Sequence, residues 1–461
     1  MLGNLQANIL KGHGRAHTIN LFLRFDPSRA NQIKVFLRNL NATNALAQLR
    51  ESLQFKRTGR SGGLVTLCML SAEGYKALGV LAKAPNDPAF LAGLQARQQL
   101  LSDPPSQKWD KQYRRSIHAM IVLADASAPR VQRARYALLA KLPRGASLLG
   151  EEAGARLHSL LSPGEGIEHF GYVDGRSNPL MLEEDVDEEA KSRGGTSVWN
   201  PRFGLGIVLV RDPGSAVASS FGSFVVFRKL EQNVKGFKLG EKALASALHL
   251  RGEDRERAGA MVIGRFEDGT PICLQSTAGL NRPVSNNFDY ARDPSGAKCP
   301  LHSHMRKVNP RGESVTPDGA SLQEERSHAI VRRGITYGTR RSHPNNKVLN
   351  ISALPSQGVG LLFMAYQSNI ENQFEFVQAK WANNPQHLGQ RGVSKAHFSG
   401  IDPVIGSGLN GSRTTKAAQR WPEVWGRDAS SSWKEFDFRG YVKMLGGEYF
   451  FAPSISTLRD L

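Results

Sequence analysis

The feature that most narrows the fold of this chain is a pattern that occurs twice. "GLVTLCMLSAEGYKAL" (63–78) and "GLLFMAYQSNIENQFEF" (360–376) each read as an apolar strand, then a serine, then an amphipathic helix. A short apolar run bounded by glycine and serine suits a strand buried in a sheet. Around the first copy the order continues. "HTINLFLRF" (17–25) and "SIHAMIVLA" (116–124) read as strands, and "RVQRARYALLAKL" (130–142) as a helix. Ile33, Phe36, Leu37 and Leu40 mark one more helix face. Ser71 is placed to cap the helix that follows its strand. Around the second copy, "GSFVVFRKL" (222–230) reads as a strand and "GAMVIGRFEDGTPICL" (259–274) as a hairpin or turn about Asp268–Gly269. The expected architecture is α+β, with two similar domains, each an antiparallel sheet with helices on one face. The boundary is placed at about 210, giving domains 1–210 and 211–461.

Composition excludes several classes. The chain has 461 residues, too many for one ordinary core. No apolar run reaches the ~18 residues of a membrane span, and "MLGNLQANILKGHGRAH" lacks the order of a secretory signal. The cytoplasm is therefore the expected location. Cys68, Cys273 and Cys299 are too few and too irregular for a disulfide framework. The net charge of +19 raises nucleic acid as a partner. The basic residues are scattered, without aromatic interleaving or a binding motif, so nucleic acid is not expected. The run "EEDVDEE" (183–189) reads as a solvated loop or helix start, not a metal site.

Three dense stretches carry the chemistry. "HFGYVDGRSNPL" (169–180) holds one carboxylate, Asp174, between Gly171 and Gly175. Turn chemistry alone would produce such a string. The glycines could equally let the backbone lie against a flat ligand while Asp174 points at it. "KCPLHSHMRKVNPRG" (298–312) has Cys299, His302 and His304, but no second ligand pair for a structural zinc. His304 beside Arg306, Lys307 and Arg311 suits an anionic cofactor with a metal at its centre, and haem fits. "IVRRGITYG" (330–338) carries Arg332 and Arg333 at the head of a strand.

In that order, "GYVDG", "HMRKVNPR" and "VRRGITYG" resemble the dye-decolourising peroxidases. The likeness extends over nearly the whole chain, through "NLQANILKGHGR", "GSFVVFRKLEQNV", "GRFEDGTP", "GLLFMAYQSNIENQFEFVQ" and "GGEYFFAPSI". The resemblance implies two ferredoxin-like domains, with one haem b per chain held in the C-terminal domain near the domain interface. It implies a haem peroxidase that uses hydrogen peroxide to oxidise organic substrates, such as anthraquinone dyes and phenolics, in one-electron steps through an oxoferryl intermediate. A non-catalytic haem carrier is the alternative. Asp174 matches the distal acid of the Gly-x-x-Asp-Gly box, with Gly175 against the porphyrin. His304 matches the proximal iron ligand, and Arg332 the distal arginine, with Arg333 as runner-up. Arg311, then Arg306, are the expected partners of the haem propionates. A carboxylate should accept the other N–H of His304. Glu375 is the candidate, with Glu371 and Asn369 as rivals. His169 is a less favoured distal base. Expected partners are hydrogen peroxide and organic, anionic reducing substrates, with no nucleic acid and no membrane. The protein is expected to be a monomer or homodimer. Six tryptophans, Trp109, Trp199, Trp381, Trp421, Trp425 and Trp433, could pass electrons from the surface.

Overall fold

The computed structural model describes residues 1–192, 194–279, 284–315, 321–346, 350–388, 399–407, 419–428 and 433–461. Its frame is a ring of strands. From the first half come β1 (His17–Phe25), β2 (Val65–Leu70), β3 (Ala119–Asp125) and β4 (Ala146–Ala155). They pair antiparallel in the order β4-β1-β3-β2. From the second half come β5 (Phe221–Gln232), β6 (Ile335–Tyr337), β7 (Gly360–Gln367) and β8 (Val442–Ala452). Their order is β8-β5-β7-β6, again antiparallel.

The two blocks do not stay separate sheets, as the sequence suggested. β8 pairs with β2 through Phe451 and Leu70, and β6 with β4 through Tyr337 and Gly154. The ring closes, so the free edge of each block is covered by the other. This explains the continuous apolar runs. All six residues of β2 are buried. A strand with barrel contents on one side and helices on the other has no wet face. Phe22, Tyr113 and Phe227 pack together with centroids 5.1–6.2 Å apart.

The helices form where the local pattern asks for them. Ala30–Arg38 buries Ile33 and Leu37. Ser71 accepts the Gly74 N–H at 3.0 Å and caps Ala72–Ala77. The acidic run is a helix, Glu183–Lys191. Of the hairpin or turn expected about Asp268–Gly269, the structure has the turn. Glu256–Ile263 is helical, and only a tight turn with a bridge between Arg265 and Pro271 follows. β4 carries no signal in sequence, because "ASLLGEEAGA" is half-exposed and is held by its pairing with β1. Among the described residues no helix is long and apolar enough to cross a membrane.

Candidate active site

A cavity of about 1110 Å³ opens beside the ring, lined by residues of both halves, among them Asp174, Arg332, His304 and Phe363. It is slightly larger than the ~300–1,000 Å³ typical of pockets for drug-sized ligands, room enough for a macrocycle.

One wall is built from two distant segments. Val173–Asp174 pairs with Gly166–Ile167 in a small three-stranded sheet that puts Asp174 at its end. Gly171 and Gly175 flank it with φ of +105° and +86°. Both values lie in the region that glycine alone enters freely, and a Cβ at Gly175 would meet only Asn178 Nδ2 at 3.9 Å, an ordinary contact. Gly175 lines the cavity, and the glycine is required there by backbone conformation rather than by crowding. Arg332 ends the two-residue strand Val331–Arg332 on β7, just before the ladder breaks ahead of β6.

Arg332 Nη1 donates to Asp174 Oδ1 at 2.6 Å, and the Gly175 N–H donates to the same oxygen at 2.7 Å. Burial pushes the Asp174 carboxyl up, but the Arg332 charge and these hydrogen bonds outweigh it, so it sits below the ordinary carboxylate range. Asn178 fixes the pair. Its Oδ1 accepts the Arg332 N–H at 3.1 Å and its Nδ2 donates to the Arg332 carbonyl at 3.3 Å. In sequence Asn178 reads only as a turn residue before Pro179. Arg333 turns away and donates to the carbonyls of Asn8, Ile9 and Arg332. His169 does not line the cavity. It is buried with Nε2 2.8 Å from the Tyr337 carbonyl, and burial lowers its pKa to about 4.

His304 lines the cavity as the first residue of the helix His304–Val308. Its Nδ1 lies 2.8 Å from Asp402 Oδ2. Asp402 is fully buried, and its Oδ1 accepts the N–H groups of Val404 and Ile405 at 2.7 and 2.9 Å. The carboxylate is thus fixed, and Nε2 is the ring nitrogen left for the cavity. Glu375 is therefore not the partner of His304. It is buried against Arg97 and Tyr449, accepting Arg97 Nε at 2.8 Å and the Tyr449 hydroxyl at 3.0 Å. Glu371 also pairs with Arg97, and Asn369 caps the turn at Asn372. All three belong to the wide-turned π-helical stretch Glu371–Ala382 and its entry, which a reading at ordinary helical period misplaces.

The two arginines expected at the propionates do not line the cavity. Arg306 is sealed between Asp293 and Glu313, with its Nη1 2.9 Å from Asp293. Arg311 donates to the carbonyls of Asn286 and Phe288 and lies over Phe288 at 3.9 Å. The cavity is met instead by Arg265, which is buried and donates to the carbonyls of Gly269 and Ser285. No carboxylate among the described residues pairs with it, and burial and Arg311 lower its pKa to about 9. A buried cation left uncompensated at a cavity wall is a place for an anionic group.

His302 is buried edge-on against Trp421, with ring centroids 4.4 Å apart. Trp109, Trp199, Trp381 and Trp421 are buried. Trp425 and Trp433 are half-buried, and the Trp425 indole donates to the Ile272 carbonyl at 3.0 Å.

Comparison with known proteins points one way. The family described as Dyp-type peroxidase, C-terminal, matches residues 167–391. The multifunctional dye peroxidase DyP2 of an Amycolatopsis species is 45% identical over 465 residues, covering 100% of this chain and 96% of its own. The solved structure of that protein matches with a TM-score of 0.92 over 100% of this chain and 96% of that one. A DyP-type peroxidase from Anabaena matches at 37% identity with a TM-score of 0.88, over 99% and 94% of the two chains. Peroxidase 2 of Mycetinis scorodonius is 31% identical over 85% of this chain and 74% of its own.

Proposed function

We infer the roles of the site from one premise: the chain belongs to the dye-decolourising peroxidase family and is a haem-dependent peroxidase that oxidises dyes. The residues present fit the cofactor. His304 offers Nε2 to the cavity while Asp402 holds Nδ1, and Arg265 offers an uncompensated cation to a propionate. We propose haem b, one per chain, with Arg265 in the place expected of Arg311 and Arg306. When bound, haem supplies the redox chemistry that splits the peroxide O–O bond.

The Asp174–Arg332 pair carries this reading. Ionised Asp174 accepts a proton from the attacking oxygen of hydrogen peroxide and returns it to the leaving oxygen. Arg332 stabilises the negative charge that grows on the leaving oxygen, and it keeps Asp174 ionised beforehand. Asn178 holds the Arg332 backbone beside the acid's loop, and through it the base of the arginine side chain. Asp402 orients His304 and makes its imidazole more basic. A haem carrier has no need of a base bonded to a guanidinium over its ligand.

The sign of the pH dependence follows. A carboxyl held below its ordinary value stays ionised into acid, so the reaction with peroxide persists at low pH. In Arg332→Leu the main influence lowering that value is gone. The acid limb of the peroxide rate should then move to higher pH, as read by stopped-flow across pH. An unmoved limb would remove Asp174 from the role of base.

We further propose that each block of the ring is a ferredoxin-like repeat, with the boundary near residue 210. The matching orders β4-β1-β3-β2 and β8-β5-β7-β6 support this. Three free, buried cysteines support a reducing compartment. The charge of +19 supports anionic substrates. The Michaelis constant for a sulfonated anthraquinone dye should rise steeply with ionic strength, because attraction is screened over ~10 Å at 0.1 M salt. That for hydrogen peroxide, which is neutral, should barely change. Equal salt dependence of both constants would mean that charge does not guide the substrate.

A further inference from the structure

The N-terminal stretch "NILKGHGR" (8–15) has no part in the chemistry above, yet it walls a second cavity of about 410 Å³. This chamber reaches into the ring of strands, where Thr18 and Asn20 of β1 meet Val122 of β3 and Met364 of β7. It shares Asp174, Gly175, Asn178 and Arg332 with the large cavity, so it lies behind the distal pair.

Its walls are unevenly charged. Lys11, Arg15, Arg156, Arg332 and Arg333 face two carboxylates, Asp174 and Asp185. Asp185 pairs with Lys11 and Asp174 with Arg332, while Arg15 reaches Glu51 outside the chamber. Arg156 and Arg333 keep no carboxylate among the described residues. Arg156 donates to the Gly164 carbonyl, and Arg333 only to carbonyls. His13 is held neutral, with its pKa lowered to about 3 by burial and by the charges of Arg15 and Arg333.

The polar side chains across from this charge are unsatisfied. Thr18 is 4% exposed and Asn20 2%, and neither Thr18 Oγ1 nor Asn20 Oδ1 has a hydrogen-bond partner among the described residues. Buried polar atoms without partners are rare, and a water or ion held beside them is one physical explanation. A hydroxyl can turn to donate, and an amide can present either end.

We propose that this chamber binds a small inorganic anion, of phosphate size or smaller, against Arg333 and the Thr18 and Asn20 side chains. The volume of about 410 Å³ admits such an anion with its waters, and it is the basic lining rather than size that favours an anion. Arg333 neighbours Arg332, so an occupant would compete with Asp174 for the field of the distal guanidinium.

The test uses the holoenzyme and inorganic phosphate. Ionic strength is held constant with a bulky organic sulfonate, and the melting temperature is followed against phosphate concentration. A ligand that binds the native state raises it in a saturable way. We expect saturation in the wild type and a midpoint at least ~10-fold higher in Arg333→Gln and in Thr18→Val. Thr18→Val keeps the shape of β1 and carries the test if loss of the Arg333 contacts to Asn8 and Ile9 unfolds the N-terminus. Crystals soaked in sodium bromide should show an anomalous peak inside the chamber. Identical titrations in wild type and Thr18→Val, or bromide only at surface cations, would overturn the proposal.

Discussion

Replacing Arg332 by leucine is expected to slow the reaction with hydrogen peroxide by ~10²–10⁴-fold, the range for loss of a charge stabiliser or a general base. Arg332 is held to Asp174 at 2.6 Å and to Asn178 by its backbone, so leucine removes the charge and leaves the loop in place. Asp174→Asn should slow the same step without exceeding the arginine effect. Asparagine keeps an acceptor for Arg332 but cannot take a proton. Stopped-flow rates of the ferric enzyme with peroxide measure both. The second-order constant should fall while the affinity for dye is unchanged, since neither residue is proposed to bind dye. Near wild-type rates in both variants would move the chemistry away from this wall. Asn178→Ala should show a weaker form of the arginine effect, because it frees the Arg332 backbone without removing the guanidinium.

The second large effect lies on the opposite wall. His304→Ala should lose most of its haem, seen as a collapsed Soret band at unchanged protein concentration. Asp402→Asn should keep haem but lower affinity or activity by ~10–100-fold, as for other groups that orient a metal-bound histidine. The neutral amide cannot enrich the imidazole as a carboxylate does, so the iron's reduction potential should rise. Glu375→Gln should leave that potential where it is, because Glu375 holds Arg97 and Tyr449 instead. His302→Ala should retain haem but melt earlier, since His302 packs on Trp421 in the interior. If His304→Ala kept a full Soret band and its axial ligation, another residue would be the iron ligand.

Local structure was legible wherever burial wrote itself into neighbouring residues. β2 and most of β7 are apolar because the ring leaves them no wet face, β1 and β5 carry apolar central runs for the same reason, and Ser71 caps its helix through a contact three residues away. Asp174, His304 and Arg332 stand in short, recognisable strings, and all three face one cavity. Other features depend on partners far along the chain. β4 is a strand because β1 and β6 lie beside it, and its own residues do not alternate. The two blocks close into one ring through single contacts at their edges, which no periodicity encodes. Asp402 meets His304 across 98 residues, and Asn178 meets Arg332 across 154. Arginine was the least legible residue type. Arg306, Arg311 and Arg265 look alike in sequence, and their surroundings alone decide that the first is neutralised, the second bound to carbonyls and the third turned to the cavity. The sequence by itself determined the buried strands β1, β2, β3, β5 and β7 and the three residues that meet at the cavity, because hydrophobic pattern and local motif are properties of adjacent residues. Only the tertiary structure decided which charge answers which, because a side chain's partner is set by the distance between segments that the chain keeps far apart.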